Sequence, residues 1–265
     1  MALDFPRKEN YSMADLQELV RLLRSPEGCP WDRVQTHESI RSSFLEETHE
    51  AIEAINQKDM AHLTEELGDV LLQIMLHTTM AEEEGAFVFQ DVLNMLITKL
   101  LDRHPHVFGE VKAENEAEAL SSWDAAKRAL QGNKPQSDLL KNVPRSLPAL
   151  MRAEKVQGRA RRGGFDWPSV DGALEALHSE TAELTEAIAL GDAAAIEEEL
   201  GDVLFSAVNV SRFVETDAEQ ALTVATDKFI RRFAEVERLA AEKGVPMAEM
   251  SLEELDALWE TAKHN

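Results

Sequence analysis

Carboxylates at fixed spacing are the residues of this chain best suited to chemistry, and they occur in two matched sets. The first reads Glu46-Glu47-Thr48-His49-Glu50 followed by Glu66-Leu67-Gly68-Asp69. The second reads Ser179-Glu180-Thr181-Ala182-Glu183 followed by Glu199-Leu200-Gly201-Asp202. From Glu47 to Glu180 and from Asp69 to Asp202 the shift is the same, 133 positions, so four acids superimpose without a gap. Like charges gathered this way repel unless a cation lies between them, and hard divalent cations take oxygen ligands. The chemistry on offer is divalent-metal binding, with a carboxylate available to take a proton from water.

Two helices joined by a tight turn would bring each set together. Asn56-Gln57-Lys58-Asp59 interrupts the first set and Leu190-Gly191-Asp192 the second. Asp59 and Asp192 suit N-caps, and Gly191 suits the left-handed residue that ends a helix. In an antiparallel hairpin, residues equidistant from the turn lie opposite each other. Glu47 then faces Asp69 and Glu50 faces Glu66; likewise Glu180 faces Asp202 and Glu183 faces Glu199. Spacing of i, i+3 keeps both acids of a helix on one side. The runs that follow, Val70 to Leu76 and much of 203–214, are apolar on nearly every face. Such helices are expected to be buried, and acids at their entrance are costly without a compensating cation.

Helical periodicity runs through 13–24, 36–56, 60–84, 88–103, 116–130, 146–162, 170–190, 193–214, 217–243 and 251–263, and no alternation typical of a sheet is present. The fold class is all-α. Gln131 to Ser137, polar with Gly and Pro, marks the linker between halves at 1–130 and 146–265, with 131–145 between them. Duplication reaches beyond the acids. Lys99 and Arg103 after the first hairpin match Lys228 and Arg232 after the second, Trp123-x-x-x-Lys127 matches Trp259-x-x-x-Lys263, and Trp31 and Trp167 each precede a hairpin. These cations are either helix-surface charges or phosphate clamps, and the tryptophans either core or ligand contacts; Trp259 is the one retained as a contact. A basic stripe, Arg152, Lys155, Arg159 and Arg162, is either a solvated face or a docking surface for a triphosphate tail at the second site.

Composition bounds the partners. Fifty acidic residues against 27 basic ones give a net charge of -23 over 265 residues, which argues against a nucleic-acid polymer. One cysteine, Cys29, rules out an internal disulfide framework and fits a reducing compartment. The N-terminus shows no signal pattern and no segment is apolar for long enough to span a membrane, so a cytoplasmic protein is expected.

Taken together, these segments resemble the MazG nucleoside triphosphate pyrophosphohydrolases. Glu46-Glu47-x-x-Glu50 with Glu66-x-x-Asp69 is similar to the family signature. Gly28-Cys29-Pro30-Trp31-Asp32, Arg103 to Phe108, Pro144 to Leu150 and Gly164-Phe165-Asp166-Trp167 are similar to its two-domain members. The resemblance implies a tandem pair of all-α MazG-type domains, a homodimer, Mg²⁺ dependence, and hydrolysis of NTPs and dNTPs to monophosphate and pyrophosphate. It also places Mg²⁺ on Glu47, Glu50, Glu66 and Asp69 and on Glu180, Glu183, Glu199 and Asp202, with nucleotide contacts at Lys228, Arg232 and Trp259. Lys155, Arg159, Lys99 and Arg103 complete the expected substrate set, and Glu46, Glu183 and Glu199 the catalytic one. Ser179 departs from the signature where the first copy has Glu46, yet two-domain relatives tend to place activity in the second domain, so the C-terminal site is expected to be the active one.

Two other classes compete. A ferritin-like carboxylate di-metal oxidase or iron-binding helical protein would use Glu-x-x-His pairs, and Glu46 with His49 supplies one such spacing. A helical interaction protein would carry its acids only as a solvated face.

Overall fold

The structure, a computed structural model, describes residues 3–131 and 135–264, and no strand occurs among them. The chain divides into two compact units, Met1–Gly132 and Asn133–Asn265. Of the expected linker, residues 132–134 lie outside the described residues.

In the first unit α1 (Met13–Arg24) is followed by a one-turn helix, α2 (Pro30–Arg33), then the long pair α3 (Arg41–Gln57) and α4 (Met60–Glu83). Helices α5 (Phe89–Arg103), α6 (Pro105–Phe108) and α7 (Glu116–Gln131) complete it. Ser12 and Asp15 form a capping box that starts α1. The sequence suggests α3 from 36, but the helix begins at Arg41. Thr36 and Ser39 each accept the other's backbone N–H through the hydroxyl, at 2.9 and 3.2 Å, and hold that stretch in a turn. The core of this unit is Val20, Ile40, Met75, Leu76, Met80 and Phe89, where α1 packs on α4. Arg24, 8% exposed, fastens its rim by donating to both carboxylate oxygens of Glu83 at 2.9 and 2.7 Å and to the Asp32 and Gln35 carbonyls.

The second unit repeats the plan. Short α8 (Gln136–Lys141) packs on α9 (Ala149–Arg162), which lies against α11 (Ala193–Phe213), the partner of α10 (Val170–Leu190). Then come α12 (Ala218–Lys243), a 3-10 turn at Met247–Glu249, and α13 (Leu252–Ala262). Val236, Ala240, Leu258 and Ala262 form a small core where α12 meets α13. Part of the expected burial of 203–214 is corrected here. Ser206 and Val208 are buried, whereas Leu204 and Phe205 are 49% and 44% exposed, because α9 and α10 cover only part of the α11 surface.

Each hairpin is shaped by its turn. Lys58 closes α3 with φ 59°, and Asp59 then accepts from the Ala61 and His62 amides at 3.0 Å to start α4. Gly191, φ 71°, closes α10, and Asp192 accepts from the Ala194 and Ala195 amides at 3.0 and 3.3 Å. The left-handed position suits glycine and strains lysine.

Candidate metal and nucleotide site

In both units the hairpin gathers acids. Glu47 on α3 with Glu66 and Asp69 on α4 offer carboxylate oxygens that all lie within 4.8 Å of one another. Glu180 on α10 with Glu199 and Asp202 on α11 do the same. Glu50 and Glu183 do not join these trios at that separation but stand near enough to act on them through charge. Burial comes first and the charges of Asp69, Glu50 and Glu66 next in raising the Glu47 carboxyl above the ordinary glutamate value. Burial, then Glu50, raises Glu66; burial, then Glu183 and Asp202, raises both Glu180 and Glu199.

Glu66 gives the sharper test of whether a cation fits. It is 6% exposed, and its Oε2 is buried with no hydrogen-bond partner. A negatively charged oxygen so placed lacks the compensation that burial demands. Three oxygen donors, with no thiolate, match a hard divalent ion. The clusters could therefore bind a divalent metal.

The two copies differ in their near surroundings. His62, one turn before Glu66, has Nε2 2.9 Å from Glu66 Oε1; the corresponding position in the second copy is Ala195. Its i, i+4 spacing was visible in the sequence and marks a neighbour not in the expected set. In the second copy Ser179 Oγ donates to Glu183 Oε1 at 3.1 Å, so the residue replacing Glu46 orients an acid of the same set. Glu46 and His49 are exposed and outside the first trio, so the Glu-x-x-His spacing of the iron alternative adds nothing to that cluster.

Of the expected basic groups, Lys228 and Arg232 line one cavity together. Lys228, Arg231, Arg232, Glu235, Ala262 and Lys263 line a cavity of 430 Å³ between α12 and α13. Arg232 sits over the Trp259 ring at 6.0 Å, and Phe229 meets that ring at 5.1 Å. Arg231 and Lys263 extend the expected pair; the signals for them were the step of three from Lys228 and the repeated Trp-x-x-x-Lys. In the first unit Arg103 and Lys127 lie over Trp123 at 5.4 and 4.8 Å, while Lys99 is exposed on α5. The α9 stripe is divided. Arg152, Lys155 and Arg162 face solvent, whereas the Arg159 guanidinium donates to the Leu139 carbonyl and ties α8 to α9.

Comparison with known proteins agrees with this geometry. The sequence matches the MazG nucleotide pyrophosphohydrolase domain twice, at residues 35–108 and 169–236, each match containing one hairpin. A nucleoside triphosphate pyrophosphohydrolase of Escherichia coli K12 is 44% identical over 253 residues, covering 94% of this chain and 95% of that protein. The nucleoside triphosphate pyrophosphohydrolase/pyrophosphatase MazG of Thermotoga maritima is 44% identical over 249 residues, covering 94% of each. The chain belongs to the MazG family, and the all-α tandem architecture expected from its sequence is the one observed.

Proposed function

We propose that this protein is a Mg²⁺-dependent nucleoside triphosphate pyrophosphohydrolase, converting NTPs and dNTPs to the monophosphate and pyrophosphate by attack of water on the α-phosphorus. The observation that carries this is the trio of facing carboxylates, in a chain that belongs to a nucleotide pyrophosphohydrolase family. Glu180, Glu199 and Asp202, with Glu183 beside them, would hold the ion in the second unit; Glu47, Glu50, Glu66 and Asp69 are their counterparts in the first. Mg²⁺, when bound, acidifies a water and neutralises phosphate charge.

The rest falls to the chain's own groups. A carboxylate of the cluster, Glu183 or Glu199, accepts the proton as the water oxygen bonds to phosphorus and pyrophosphate departs. Lys228 and Arg232, joined by Arg231 and Lys263, offset charge on the outer phosphates, and Trp259 offers a face to the base. Their shared cavity supports the second unit as the active one. Lys155 is retained as an outer contact, since Arg159 is occupied by Leu139. Glu46, Lys99 and Arg103 would serve the first site.

A homodimer belongs to the same proposal. Leu200, Leu204, Leu222 and Ile230 on α11 and α12 are between 48% and 59% exposed, an apolar surface that a second copy would cover. The cytoplasmic setting is supported by the unpaired Cys29, and no helix among the described residues is long and apolar enough to cross a membrane.

A panel of NTPs and dNTPs with Mg²⁺, scored for pyrophosphate against orthophosphate, tests the reaction. Pyrophosphate should dominate, and Glu183→Gln and Glu199→Gln should each lower its release by about a hundredfold or more while circular dichroism stays unchanged. Orthophosphate as the main product would reject the reaction. Full activity in both variants would move it to the first unit.

A further inference from the structure

The two acid trios are matched in ligand type, yet the residue one turn ahead of the first acid on each second helix is not. His62 Nε2 lies 2.9 Å from Glu66 Oε1, and the shift of 133 brings Ala195 to the same place beside Glu199. An ionised carboxylate only accepts, so Nε2 carries the hydrogen and His62 is the donor. His62 is not one of the ligands, because the atoms that lie within 4.8 Å of one another belong to Glu47, Glu66 and Asp69. It can act on an ion only through Glu66.

Both oxygens of Glu66 are constrained. Oε2 is buried with no hydrogen-bond partner, and Oε1 is engaged by His62. Packing leaves so buried a carboxylate little room to turn. Whichever oxygen an ion takes, the other is not free to join it. Burial and then Glu50 raise the Glu66 carboxyl, while the charge of His62 and its hydrogen bond oppose that rise and favour the ionised ligand form. Glu199 is only half-buried, and after burial the groups that act on it most are acids, Glu183, Asp202, Glu180 and Glu198. Ala195 gives it no donor, so its carboxylate can turn and present both oxygens.

That difference selects between two hard cations. Ca²⁺ takes about six to eight oxygens and accepts a carboxylate through one oxygen or through both, whereas Mg²⁺ keeps a tight octahedron with few carboxylates and several waters. A glutamate restricted to one oxygen suits Mg²⁺ and withholds a ligand atom from Ca²⁺. We propose, on the reading that the trios hold divalent ions, that His62 is a positioning residue. It holds Glu66 to a single oxygen and so sets the preference of the first site for Mg²⁺ over Ca²⁺, a control that the second site lacks.

Calorimetric titration of the full-length protein with Mg²⁺ and with Ca²⁺, in the absence of nucleotide, tests this in a Glu199→Ala background that removes the second trio. His62→Ala should lower the ratio of Mg²⁺ to Ca²⁺ affinity by about tenfold. His62→Gln, whose amide nitrogen can donate in place of Nε2, should keep the parent ratio. The His62 side chain is 38% exposed on a helix, so alanine is tolerated there, and circular dichroism checks it. An unchanged ratio in His62→Ala, equal losses of both affinities, or a ratio that falls as far in His62→Gln would overturn the proposal and leave metal binding in place. If neither ion binds the parent protein, the proposal falls together with the metal-dependent function.

Discussion

At the scale of single residues, the acids of the two hairpins contribute to stability in a direction set by their environment. Glu47, Glu66, Glu180 and Glu199 all have folded pKa values above the ordinary glutamate value, with burial the largest cause. In the folded protein they hold protons at pH values where the unfolded chain has lost them. Their contribution therefore favours the fold at low pH and is lost as pH rises from the ordinary glutamate range through the raised values. A divalent ion needs the deprotonated forms, so its stabilisation runs the opposite way. Thermal melts with and without Mg²⁺ should show a gap in Tm that widens as pH rises from the ordinary glutamate range through the raised values. A gap of constant width would contradict metal binding at these carboxylates. This much of the site was legible in the sequence, because i, i+3 spacing and a shared shift of 133 positions fix helix faces without any knowledge of tertiary packing. The Ser179–Glu183 bond was not, since a serine beside an acid has many possible partners and only rotamers decide among them.

Elements bring those faces together, and their turns do it at unequal cost. Lys58 and Gly191 occupy the same left-handed corner, yet only the second is a glycine. Lys58→Gly should raise stability to urea by about 0.5–1 kcal/mol, and Gly191→Ala should lower it by about 1 kcal/mol. A loss of stability in Lys58→Gly would mean that the lysine side chain supports the turn. At the other end of the first hairpin, Arg24→Ala should cost about 2 kcal/mol, because the Asp32 and Gln35 carbonyls and Glu83 lose their common donor. Long helices were readable from periodicity. The one-turn helices α2 and α6 were not, and each begins at a proline, Pro30 or Pro105, whose geometry suits a first turn without announcing it. Helix α8 was hidden for another reason: its polar composition resembles a linker, and only its attachment to α9 through Arg159 and the Gln136 side chain makes it part of the fold.

For the molecule as a whole, apolar surface left bare on α11 and α12 sets the expectation for assembly. Light scattering should report a dimer, and Leu204→Glu should shift it toward monomer, since a charge on an apolar contact is left without solvent or partner. A monomeric parent protein at micromolar concentration would remove the homodimer from the proposal. The sequence overstated burial here, because hydrophobic runs report what must be covered and not whether the covering chain is the same one. One property of the hairpins reaches further. Every facing acid of a pocket is encoded in a single uninterrupted stretch, 47–69 or 180–202, inside one unit. Among the described residues, each trio of facing carboxylates is drawn from one unit alone. Glu66→Ala should therefore abolish the first trio and leave Glu180, Glu199 and Asp202 assembled, which a metal titration of the variant would read as the loss of one class of site and the survival of the other.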